Sequence, residues 1–173
     1  MKTYTIILTL LISGFLAACS SNHKTETADT AAATDSVKTA EFKNDTIAQV
    51  YTHYIKLKDA LVKSDVKAAD SAASELAIAL HTIKGCENTA QNAIEIGKST
   101  DIKDQRSKFI SLSSDVIAMF KNTDLLSGSV FVEFCPMANN GKGAYWLASN
   151  KEIRNPYYGD EMLDCGEVKQ EIK

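Results

Sequence analysis

Between Val66 and Ile83 the larger apolar residues and small alanines fall at Val66, Ala69, Ala73, Leu76, Leu80 and Ile83. This alternation of three- and four-residue steps places all six on one stripe of an α-helix, as in the seam of a helical bundle. A single striped helix cannot bury its own stripe, so the pattern demands partners. The flanking sequence supplies them. Ile47, Val50 or Tyr51, Tyr54, Leu57 and Leu61 follow the same steps behind an Asn44 or Asp45 cap, and Ile102, Phe109, Leu112, Val116 and Met119 do so behind Asp101. Glu87 to Ile96 is a shorter segment with Ala90, Ala93 and Ile94 in register. Asp65 is placed to cap the second helix and Gly85 to stop it. The expectation is a mainly α domain, an antiparallel bundle of about four helices joined by short loops over residues 44 to about 124.

After Ser127 the composition changes. Five of the eight glycines and both prolines lie from Gly128 to Gly166, together with Phe131, Phe134, Tyr145, Trp146, Tyr157 and Tyr158. Long helices are excluded there. Val130 to Phe134 and Ala144 to Ala148 read as short strands, and Glu167 to Ile172 as a weaker one. Residues 44–173 therefore form a single helical domain that ends in an aromatic loop and short-strand segment.

The N-terminal end carries an address. Lys2 precedes an apolar run from Thr5 to Phe15, too short to span a bilayer but long enough for the apolar part of a signal peptide. Leu16-Ala17-Ala18-Cys19 follows and resembles the lipobox of bacterial lipoproteins. That resemblance implies removal of residues 1–18, lipid attachment at Cys19, and several acyl chains holding the chain firmly to membrane lipid. An ordinary secretory cleavage after Ala18 is the alternative. Ser20 and Ser21 carry no acidic retention signal, so known sorting rules point to the outer membrane, facing the periplasm. Residues 19–43 are rich in Thr and Ala and poor in large apolar residues, which reads as a lipidated disordered tether. Its root-mean-square reach would be roughly 25–30 Å.

Loss of residues 1–18 removes Lys2 and no acid, leaving 18 basic against 22 acidic residues. Nucleic acid is a poor partner for such a chain, because phosphate binding calls for a basic stripe.

One region has a chemical signature. Cys135-Pro136-Met137 and Met162-Leu163-Asp164-Cys165-Gly166 pair thiols with thioethers, and soft sulfur donors select Cu(I) or Ag(I) over hard cations. The same two cysteines would equally suit a structural disulfide in an oxidising compartment, with Met137 and Met162 as core residues under Trp146 and the tyrosines. With Cys19 lipidated, Cys86, Cys135 and Cys165 remain, an odd number for an exported domain. His81 and Trp146 are candidates for a supporting shell, whereas His53 reads as a helix-face residue and His23 lies in the tether. The chain lacks a Cys-x-x-Cys pair, a Gly-x-Ser-x-Gly elbow and a phosphate loop, so no catalytic motif is present and a non-enzyme is expected.

Cys135-Pro136-Met137-Ala138, Gly143 to Leu147, Ile153 to Gly159 and Met162 to Gly166 resemble a bacterial domain of unknown function. Tyr54, Leu57 to Leu61, Arg106, Phe109 and Leu112-Ser113 fit it as well, so the resemblance extends over about Asp45 to Ile172. The domain occurs in small lipoproteins and at the C-terminal end of periplasmic adaptors of heavy-metal efflux pumps. Cys-Pro-Met is also similar to the short metal-binding motif of copper exporters, where a histidine follows and here Ala138 stands. The resemblance implies a neighbourhood of copper and silver efflux, with Cys135, Met137, Met162 and Cys165 as metal ligands. Two functions stay open: an envelope lipoprotein that binds Cu(I) or Ag(I) and buffers it or passes it to an efflux system, and a helical interaction module docking on an efflux adaptor or other envelope protein.

Overall fold

The computed structural model describes residues 39–173. The signal segment, Cys19, His23 and the rest of the stretch through residue 38 lie outside the described residues. Four main helices occur where the stripes predict them: α1 (Asp45–Val62), α2 (Val66–His81), α3 (Glu87–Gly97) and α4 (Ile102–Phe120). Three begin on side-chain caps. Asn44 accepts from the amides of Thr46 and Ile47, Asp65 from Ala68 and Asp101 from Lys103, which satisfies amides the helix itself leaves unpaired. Gly85, in the left-handed region at φ +91°, does not stop α2. The helix ends four residues earlier at His81, on a Thr82 whose hydroxyl donates to Ala79 O.

Helices adjacent in sequence pack against one another, and α4 also packs on the C-terminal sheet. The core stripe contains Tyr54, Leu57, Leu61, Leu76, Leu80, Phe109, Leu112 and Val116, all fully buried. Polar ties cross it. Gln105 is fully buried and its amide donates to the carbonyls of Val66 and Ser99, fastening the start of α2 and the end of α3 to α4.

Two small antiparallel sheets complete the fold. β1 (Glu41–Phe42) pairs with β2 (Leu125–Ser127). β3 (Val130–Cys135) is the centre of a second sheet in the order β4-β3-β5, with β4 at Ala144–Ala148 and β5 at Glu167–Ile172. Ordered chain thus begins ahead of Asn44. The cause is Phe42, which is buried against the rings of Tyr51 and Phe120 at centroid distances of 5.0 and 5.4 Å.

The free edge of β4 is covered by helix side chains. Leu147 N–H donates to Tyr54 Oη at 3.0 Å, and Tyr54 Oη lies 2.5 Å from Ser113 Oγ. Ser113 Oγ donates in turn to Tyr145 O at 2.9 Å, so Tyr54 is the donor to Ser113. Tyr157 Oη gives Tyr145 O a second donor. Backbone groups that an edge strand would present to another chain are thereby closed off by α1 and α4.

Candidate metal centre: a thiol pair at the end of the sheet

Cys135 is the last residue of β3 and is fully buried. Cys165 lies just before β5 and is half-buried. Antiparallel pairing of β3 with β5 brings these residues together across thirty positions of chain, and their sulfurs stand 2.9 Å apart. Cys86 takes no part, being half-buried at the start of α3.

The loops around the pair are tied down by side-chain hydrogen bonds. Asn155 is completely buried; its amide donates to Cys165 O at 2.8 Å while its Oδ1 accepts from Tyr157 N–H at 2.8 Å. Its own N–H donates to Leu163 O, and Gly159 N–H donates to Asn155 O. Asn-Pro-Tyr-Tyr-Gly is therefore a packed turn that positions Cys165. Tyr158 Oη donates to Met137 O at 2.7 Å, strapping the Cys-Pro-Met turn to that loop. Cys165 N–H donates to Met162 O, so Met162 sits in the turn that delivers the thiol. Gly166 is needed because a Cβ there would lie 2.8 Å from Trp146 Cη2. Trp146, fully buried, is the wall behind Cys165-Gly166.

The methionines are not core residues. Met137 is 54 % exposed, and Met162 is half-buried and outside the hydrophobic core. The two thioethers thus lie in the chain turns next to the cysteines, with Met137 at the surface and Met162 half-buried. His81 is exposed at the end of α2, in a groove shared with α3 that contains none of the four sulfur residues.

The Cys165 thiol has its pKa raised, first by its contact with the Cys135 thiol and then by burial, while the Met137 amide favours the thiolate. Loss of a proton is therefore harder here than for a free thiol, and a cation bound at the sulfur would ease it. A metal ion binding both sulfurs at about 2.3 Å would hold them roughly 3.7–4.6 Å apart for angles between tetrahedral and linear. The pair, now 2.9 Å apart, must open by roughly 1–2 Å to admit one. Among the described residues no group of three or more His, Cys, Asp or Glu gathers.

Residues 50–128 match the family described as Protein of unknown function (DUF3347). The chain thus carries a domain of unknown function, spanning most of α1 through β2. The match is shorter than the Asp45–Ile172 resemblance and stops before Cys135, so the sulfur-bearing segment stands outside it. No curated protein and no solved structure matches the chain.

Asn155, Tyr158 and Arg106 are the positioning residues that periodicity and motif reading pass over. Asn155 and Tyr158 lie within a recognised turn signal, but nothing local reveals which partner each polar atom finds.

Proposed function

We propose that this protein is a membrane-anchored carrier of Cu(I) or Ag(I), held in the cell envelope through lipid on Cys19, that buffers the ion or passes it to an efflux partner. The observation that supports it is the convergence of Cys135 and Cys165 to 2.9 Å with Met137 and Met162 excluded from the core. Cys135 and Cys165 would supply thiolates, with Met137 and Met162 as neutral thioether donors. The role is binding and transfer, with no catalytic step. The ion would enter from the Met137 side, where the cluster meets solvent.

The test is a Cu(I) competition titration of the reduced protein, comparing wild type with the Met137→Leu, Met162→Leu double variant. The variant keeps every thiol and nearly the original volume. Tight uptake of one equivalent by wild type, weakened at least tenfold in the variant, is the expected result. Equal binding by both, or none, overturns the reading.

The short sulfur separation also favours a second reading, a Cys135–Cys165 disulfide in a non-catalytic interaction module that docks on an envelope or efflux protein. Closing a loop of 30 residues constrains the unfolded chain by about 3–4 kcal/mol in the chain-entropy description. Thiol alkylation of envelope protein isolated without reductant separates the two. Free Cys135 and Cys165 favour the carrier, and blocked ones favour the module.

A further inference from the structure

Beside the thiol pair, but independent of it, a cleft of about 350 Å³ opens between α4 and the turn at 138–140. Lys103, Arg106, Ser107 and Ile110 line one wall, at the spacing that puts four residues on one helix face. Asn139 and Asn140 form the other wall, both exposed and both in the left-handed region at φ 54° and 55°. Asn tolerates that conformation better than other side chains do, and two in succession hold the turn open against α4.

Arg106 is only 8 % exposed. Its Nε donates to Pro156 O at 3.0 Å, and its Nη2 donates to Leu61 O at 2.8 Å and Ser64 Oγ at 2.9 Å. These acceptors are neutral. Among the described residues no carboxylate lies within ion-pair distance of it, and its Nη1 makes no hydrogen bond within the chain and is open to solvent. The guanidinium is thus fixed by neutral acceptors while one of its nitrogens stays free to meet an anion. Glu161 and Asp160 act on the guanidinium only through space. Glu161 and Lys103 both line the cleft.

We infer that this cleft binds a small organic carboxylate, with Arg106 Nη1 and the Lys103 ammonium as its cationic partners. Ser107 and the amides of Asn139 and Asn140 add hydrogen-bond donors. Ile110 and Tyr157 line the same cleft and give the aliphatic part of the ligand an apolar wall. The charged residues lining the cleft are two cations and one acid, and Asp160 further offsets the guanidinium, so the small charge excess favours a monoanion over a phosphate dianion, which Glu161 repels more strongly. The volume lies at the lower end for small-molecule pockets, so the ligand is small.

The experiment is an NMR titration of the full chain at constant ionic strength with butyrate, using butyramide, inorganic phosphate and chloride as comparison arms. Butyrate is expected to shift the amides of 103–110 and 138–140 saturably in the millimolar range, with butyramide and chloride silent. Lys103→Gln, on an exposed side chain, should weaken binding severalfold without disturbing the fold, and Arg106→Lys should abolish it. Should Arg106→Lys fail to fold, Lys103→Gln alone decides. Absence of saturable butyrate shifts, equal binding by Lys103→Gln and wild type, or binding of phosphate or butyramide as tight as that of butyrate overturns the assignment.

Discussion

Glu133 sits in the central strand with its carboxylate fully buried and neither oxygen hydrogen-bonded. Burial raises its pKa from 4.5 to about 7, against a smaller opposing influence from Lys58. The indole N–H of Trp146, its cross-strand neighbour, faces it without reaching hydrogen-bond geometry. The folded state therefore holds this proton more firmly than the unfolded chain does. Its contribution to stability is fully present below pH 4.5 and is lost as pH rises through about 7. Glu133→Gln should flatten that slope and gain on the order of 2 kcal/mol at pH 8 relative to pH 4.5, read by urea unfolding at both pH values. An unchanged slope would show that the carboxylate is solvated. Gly159, at φ +58°, is a second sharp position: a Cβ there would lie 2.4 Å from Arg106 Nη2 and 2.8 Å from Val62 O. Gly159→Ala should cost about 2 kcal/mol or more and lower Tm accordingly, since neither the arginine nor the helix end can yield cheaply.

At the scale of elements, the relay from Leu147 N–H through Tyr54 and Ser113 to Tyr145 O joins α1 and α4 to an edge strand. Tyr54→Phe would leave a buried amide and a buried hydroxyl short of a partner, at a cost of about 1–3 kcal/mol. Faster amide exchange at Leu147 is the signature that distinguishes this from simple core loosening. The same elements show what could be read from the chain beforehand. The helices were legible because apolar spacing and side-chain caps are local, and Asn44, Asp65 and Asp101 all cap as expected. The three strands of the C-terminal sheet were legible from alternation and glycine placement. Gln105 and Arg106 were not, because a polar residue on an apolar stripe betrays nothing of the distant carbonyls it will meet. The pairing of Cys135 with Cys165 was legible from their motifs, but the β3–β5 register that brings it about was not.

At the scale of the whole molecule, the proposed metal uptake would be linked to protonation, because thiols must lose protons to ligate. Cu(I) affinity should rise by about tenfold per pH unit for each proton displaced, over the range below the thiol pKa values. A competition titration repeated at pH 6, 7 and 8 measures the slope, and a flat profile would exclude thiolate ligation. Membrane attachment is checked separately: Cys19→Ser should abolish incorporation of labelled fatty acid and release the chain from membranes.

The Phe42 clasp has a mechanical meaning. Any tension arriving through the chain ahead of Thr39 enters the fold at a two-residue ladder, Glu41–Phe42 against Leu125–Ser127. So short a ladder can part like a zip, leaving the load on one aromatic ring wedged between Tyr51 and Phe120. Withdrawal of that ring would uncover a tyrosine and a phenylalanine, while the polar relay between the helices and β4, which uses none of these three rings, would keep its bonds.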